Sequence, residues 1–369
     1  MSGRKDASPA IAEAAVATPP APRPDDPGAT DHLRVASLVL PWNRRAVIVI
    51  AVACVAVIAS VVAALTLGKL GVALPDLLSV LSGEGSKTQH WVVFNNRLPR
   101  GLVAVGAGAA LGISGAIFQS VTRNPLGSPD IIGLNGGAAA GAAAVTLVWP
   151  GLLPAPVGAL LGGGIAITLV LLGAGRGFHA PHRMVVIGIG VGAMALAFVQ
   201  FAVTRTRREQ AQEMAAWLNG SLSARNWDHV WTIFVALAVF GTAALLLSRG
   251  LQLVEMGDEA ALALGVRTQR VRLAAVAVGV VLAAAAVVVC GPIAFVALVA
   301  PQLARRMTRS AGPGMVAAGV FGALIMTVAD LVAQYQPWSA TLPVGVLTAG
   351  IGGVYLAALL THEWRRGTL

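Results

Sequence analysis

The side chains able to do chemistry are few in this sequence, and nearly all stand at the ends of long apolar runs. Two arginines, Arg97 and Arg100, bracket a Leu-Pro pair just ahead of a glycine-rich apolar stretch that reaches Val121. A polar turn follows, Thr122-Arg123-Asn124-Pro125-Leu126-Gly127-Ser128-Pro129-Asp130, and apolar sequence resumes at Ile131. Arginines in such a place anchor a helix end at a membrane interface. Asp130, after a proline at the start of the next run, is suited to capping amide groups and complementing a helix dipole. Asp330, in Ala-Asp-Leu-Val-Ala-Gln, is either a buried functional carboxylate or one close enough to the rim to be solvated. Chemistry of other kinds is missing. Gly68-Lys69-Leu70 lacks the hydroxyl residue of a phosphate-binding loop. Cys54 and Cys290 sit singly in apolar runs and read as small core residues. His179 and His182 share one loop without acidic or thiol companions, and no nucleophile–base pair stands out, so nothing here reads as an enzyme or a metal centre.

The elements that must position these residues are membrane helices. The 369 residues are 56% hydrophobic and only 11% charged, with a mean hydropathy of +0.77. A soluble domain could not hide that much apolar surface, so the fold class is an all-α polytopic membrane protein. Ten apolar runs fall at about 46–67, 98–121, 131–149, 152–174, 184–203, 229–248, 273–291, 293–308, 315–334 and 342–360, the eighth too short to cross as one straight helix. Most of the 26 lysines and arginines then lie in segments on one side, which places both termini in the cytoplasm. Arg205, Arg207, Arg208 and Arg225 depart from that bias in an outer loop, either because the solvated loop escapes the rule or because they meet an acidic partner. A net charge of +10 is explained by these loops without nucleic acid. Residues 1–45, rich in Ala, Pro and charge, read as a disordered cytoplasmic tail, and 46–369 as the transmembrane domain. Glycines 101, 106, 108, 112 and 115 strip side chains from one helix face, so that another helix can approach closely. The spans hold almost no ionisable groups, whereas an ion-coupled carrier keeps a carboxylate near midplane. The longest inner interruption after the tail, about 250–272, carries a short amphipathic stretch from Glu255 to Leu264 closed by Gly265, and it reads as a docking surface.

Several motifs together resemble the permease subunits of ABC importers for iron–siderophore complexes and cobalamin. They are RLPR at 97–100, SGAIFQSVTRNPLGSPDIIGLN at 114–135, WLNGSL at 217–222, EMGDEAALALGV at 255–266, GPIAFVALVAPQLARR at 291–306 and LPVGVLTAGIGGVYL at 342–356. NPLGSPDIIG and GIGVGAM are most similar to the ferric-catecholate, enterobactin-type branch. The resemblance implies about ten helices per subunit and a second permease subunit, identical or homologous, around a central path in the bacterial inner membrane. It also implies two separate ATPase subunits, which use ATP and Mg, and an extracytoplasmic siderophore-binding protein. This chain itself would bind no cofactor. Residue by residue, Arg97 and Arg100 would meet glutamates of the binding protein, a third docking arginine being replaced here by Gln334. Asn124, Pro125 and Leu126, with Pro181 and His182, would form the cytoplasmic constriction. Met256, Gly257, Leu262, Leu264 and Gly265 would seat in the ATPase groove.

Overall fold

The computed structural model describes residues 31–35, 38–67, 72–130, 132–174, 181–207, 212, 214, 217–335 and 342–365. It comprises two units, 1–44 and 45–369. In the first, β1 (Asp31–Val35) and β2 (Leu38–Trp42) pair antiparallel, with Asp31 opposite Trp42. Most of the tail expected at residues 1–45 falls on residues 1–30, which lie outside the described set.

The second unit is helical. Its elements are α1 (Arg44–Thr66), α2 (Leu74–Leu81), α3 (Lys87–Thr122), α4 (Leu134–Val148), α5 (Ala155–Ala174), α6 (Pro181–Thr204), α7 (Trp227–Glu255), α8 (Asp258–Ala263), α9 (Thr268–Cys290), α10 (Val296–Thr308), α11 (Met315–Tyr335) and α12 (Val344–Arg365). Among the described residues, seven helices are long and apolar enough to cross a membrane: α1, α3, α5, α6, α7, α9 and α11. The shorter apolar helices are α4 and the first part of α12. α10 is short as well, because Gly291 to Ala294 are irregular and Phe295 takes a left-handed φ of 69° before the helix can start.

Two pieces escaped the sequence reading. α2 opens with Pro75 in its first turn, where the missing N–H costs nothing, and with Asp76 beside the positive end of the helix dipole. It buries Leu77 and Val80 with Leu65 and Val93, so the chain doubles back onto the last turn of α1. α3 begins well before Leu98. Ser86 accepts from the Gln89 amide and the Gln89 side chain accepts in return from the Ser86 amide, a reciprocal cap at the start of the helix. Between Val92 and Arg97 the turns widen to π geometry, as they do at Ala144–Val148 and Leu237–Gly241.

α3 is the hub. It buries most of its side chains, whereas α1, α6 and α7 leave most of theirs outward. Its glycines do not serve a single neighbour. A Cβ at Gly108 or Gly112 would collide with the backbone of α11 at Gly322 or Ala318, and one at Gly115 with the carbonyl of Ala297 in α10. Gly106 instead faces Ile233 of α7, and Gly101 faces Val61 of α1. A second close crossing joins Gly137 and Gly141 of α4 to Gly158 and Gly162 of α5. Contact of this kind replaces the hydrophobic drive that lipid does not supply.

Candidate functional site

The polar groups gather at two places along α3, one well inside its first half and one at its C-terminal end. At the first, Arg97 and Arg100 emerge one turn apart, and both commit donors to this subunit. Arg97 Nη1 donates to the carbonyls of Ala64, Leu65 and Leu67 at 2.9, 3.0 and 2.7 Å. It thereby satisfies the carbonyls left open where α1 ends. The Tyr335 hydroxyl joins it, donating to Ala64 and Leu67 at 3.0 and 2.8 Å. Arg100 forms a bidentate pair with Asp330, Nη2 to Oδ1 at 2.8 Å and Nε to Oδ2 at 3.2 Å. The Gln334 amide donates to the same carboxylate at 2.7 Å. The Asp330 side chain is only 3% exposed and that of Arg100 20%. Asp330 is thus buried and paired, which settles the two sequence readings in favour of burial. Gln334, read from sequence as a lost contact with a partner protein, holds this pair instead.

The loop between α6 and α7 is partly self-engaged. Arg205 lies over the Phe201 ring at 4.9 Å, and Arg225 donates to the Ser221 carbonyl at 3.1 Å. Arg208 lies outside the described residues.

At the other end, α3 stops at Arg123, whose φ of 49° turns the chain out of the helix. Asn124, Pro125 and Leu126 follow as an exposed turn, in which the Leu126 amide donates to Asn124 Oδ1 at 2.9 Å. Gln302 of α10 supports the turn, its Nε2 donating to the Pro125 carbonyl at 2.6 Å. Pro181 opens α6, but the side chains of Pro181 and His182 lie outside the described residues. Asp130 does not cap α4: Gly133 occupies that position without a side-chain bond. Asp130 accepts instead from Asn135 Nδ2 at 2.7 Å and from the backbone of Phe295, tying the loop to the irregular stretch before α10. Loss of solvent pushes its carboxyl up to about 7, a rise that the Phe295 bond only partly opposes.

The inner segment also differs from its sequence reading. Glu255 closes α7, and the separate short helix α8 starts at Asp258. It is bounded by Gly257 at φ 119° and Gly265 at φ 79°, backbone states that favour glycine over any residue with a Cβ. At its far end the Gly265 amide donates to Leu262 and the Val266 amide to Ala261, so Gly265 ends the helix as its position in the sequence suggested. Met256, Leu262 and Leu264 project outward, 66%, 59% and 61% exposed. Asp258 is not a free surface charge. It binds Arg123 and the deeply buried Arg272 at once, each through Oδ1 at 2.5 Å.

Comparisons with known proteins bear on the chain as a whole. The ferric enterobactin transport system permease protein FepG of Escherichia coli is 43% identical over 292 residues, covering 79% of this chain and 88% of that protein. The Fe(3+)-citrate import system permease protein YfmE of Bacillus subtilis is 32% identical and covers 88% of this chain and 98% of that protein. Among solved structures, one described as an inward-facing conformation of a metal-chelate type ABC transporter superposes with a TM-score of 0.76 at 27% identity. It covers 85% of this chain and 99% of that one. The description of the FecCD transport family matches residues 55–362, and the chain belongs to that family.

Proposed function

We propose that this chain is the inner-membrane permease subunit of an ATP-driven ABC importer. It carries a ferric siderophore, a catecholate complex, into the cytoplasm by alternating access. The observation that carries the reading is α8 with its flanking residues: a short, glycine-bounded helix around which Met256, Leu262 and Leu264 are displayed to the outside. A chain with no phosphate-binding loop must take its energy from elsewhere, and exposed apolar knobs of this kind mark a protein interface. They seat in the groove of a separate ATPase that uses ATP and Mg. Similarity to a ferric enterobactin permease supports the catecholate assignment, and similarity to a ferric citrate permease supports a ferric chelate more broadly.

In this reading ten segments cross the membrane with both termini cytoplasmic, supported by the lysine and arginine bias. Two permease subunits enclose the path, with two ATPases inside and a siderophore-binding protein outside. Asn124, Pro125 and Leu126, with Pro181 and His182, narrow the inner end. Arg97 and Arg100 face the binding protein at the outer end, their orientation fixed by the carbonyls of α1 and by Asp330. An ion-coupled carrier is disfavoured because Asp330 is already neutralised by Arg100. Radio-iron uptake in cells lacking the gene tests the cargo, with catecholate and hydroxamate complexes supplied separately and labelled cobalamin alongside. Loss of catecholate uptake alone, restored by the gene, supports the reading; loss of cobalamin uptake alone keeps the scaffold and overturns the cargo.

A further inference from the structure

The inner end contains a charged connection that its docking and constriction roles do not require. Asp258 is the first residue of α8. Its carboxylate accepts from Arg272 through both oxygens, Oδ1 to Nη2 at 2.5 Å and Oδ2 to Nη1 at 3.2 Å. The Arg272 side chain is 2% exposed and rises from the second turn of α9, so it holds the carboxylate from a fixed point. The same Oδ1 accepts from Arg123 Nη2 at 2.5 Å. Arg123 is the left-handed residue that ends α3 and immediately precedes Asn124, Pro125 and Leu126. A second strut runs parallel. Arg305 of α10 donates to Oε1 of the buried Gln119 at 3.1 Å and lies 3.9 Å from Glu255, the last residue of α7. One helical turn before Arg305, Gln302 holds the Pro125 carbonyl.

We propose that Asp258 is a positioning residue that transmits displacement of α8 to the Asn124–Leu126 turn through Arg123. The proposal rests on the importer reading above, because it needs an ATPase that moves α8. The geometry favours transmission over a static brace. A brace would be complete with Arg272 alone, whose two nitrogens already take both carboxylate oxygens. Arg123 adds a contact to the one residue whose backbone sets the direction of the constriction turn. Its side chain is 41% exposed, so the contact can yield and re-form without stranding a buried charge. α8 has a left-handed or extended glycine on each side and can move as a unit about them.

The test uses the complete complex with its co-purified ATPase, carrying Leu126→Cys as a reporter. The rate of labelling by a membrane-impermeant maleimide is read with and without ATP, against a background chain lacking the new thiol. In the otherwise unaltered chain, ATP is expected to change the labelling rate several-fold. Adding Arg123→Gln should abolish that change while leaving assembly and basal ATP hydrolysis within about twofold, because Asp258 keeps Arg272. Arg123→Lys should restore part of the response, which a purely structural role would not predict. An undiminished ATP response in Arg123→Gln overturns the relay and leaves the importer reading intact. Loss of assembly or hydrolysis in Arg123→Gln overturns it in favour of a structural pair. Absence of any ATP response in the unaltered chain overturns the importer reading itself.

Discussion

Replacing Asp330 with alanine strands the Arg100 guanidinium on α3. The carboxylate is 3% exposed and accepts from two Arg100 nitrogens and from the Gln334 amide, so three donors lose their partner together. Removing one member of a buried pair costs about 3–5 kcal/mol. Arg100 keeps 20% of its side-chain exposure and can recover part of its hydration, which favours the lower figure. About 3 kcal/mol is roughly a hundredfold in the folded-to-unfolded ratio. Arg100→Ala belongs at the upper figure, because the charge then left behind is the more deeply buried one. Removing both partners with Arg100→Leu and Asp330→Leu strands neither, and the double variant should be more stable than either single alanine variant. The assay is denaturant unfolding of the purified subunit in one detergent, arranged as a double-mutant cycle with matched alanine variants. A coupling of about 2 kcal/mol is expected. Simple additivity of the two alanine effects would refute the claim that the pair is a closed, desolvated unit. The same geometry alters how docking must be tested. Glutamate at both Arg97 and Arg100 would reverse the docking charges, but Arg100→Glu also sets a second carboxylate against Asp330. Loss of docking in that variant would report instability.

Four further outcomes are expected. Leu264→Arg puts a charge on an exposed apolar knob and should release or uncouple the ATPase without lowering the subunit's melting temperature, as read by co-purification and ATP-driven uptake. Gly112→Val forces β-branched bulk against the Ala318 carbonyl and should destabilise by about 1–3 kcal/mol, read by denaturant unfolding beside a surface control. Asp130 holds its proton up to about pH 7 when folded, against 3.8 for the unconstrained group, so between those values the folded state binds more protons than the unfolded one. Stability should therefore fall as pH rises from about 4 to 7, and Asp130→Asn should flatten that slope. Deleting residues 1–40 should leave uptake and assembly intact; lost uptake at normal expression would give the tail a role.

The helices were legible because each apolar run is bounded by polar or glycine-proline punctuation, and length alone separates a span from a loop. The short α10 was visible too, since Gly291-Pro292 cannot continue α9. Pairings across the fold were not. Nothing near Asp330 in the sequence announces Arg100, although Gln334 four residues on lies on the same helix face and is a local sign of a held carboxylate. Asp258 and Arg272 lie close in sequence, yet the burial of Arg272 depends on how α9 packs. Glu255 was assigned to the wrong helix because α7 continues past its apolar span, and neither the π turns nor the irregular backbone at Phe295 leaves a compositional mark. α2 had a readable start in Leu-Pro-Asp, outweighed by its brevity.

The Gly108 and Gly112 crossing divides α3 into two arms. With 1.5 Å per residue, Arg100 stands about 15 Å from that crossing on one side and Arg123 about 20 Å on the other. Backbone contact at the crossing leaves α11 as a fulcrum, since carbonyls meeting glycines resist sliding more than they resist tilting. A rotation of about 5° there swings the Arg100 end by about 1.3 Å and the Arg123 end by about 1.7 Å in the opposite direction. A rigid rotation at that crossing would move the Arg97–Arg100 turn and the Asn124–Leu126 turn together, as two ends of one lever.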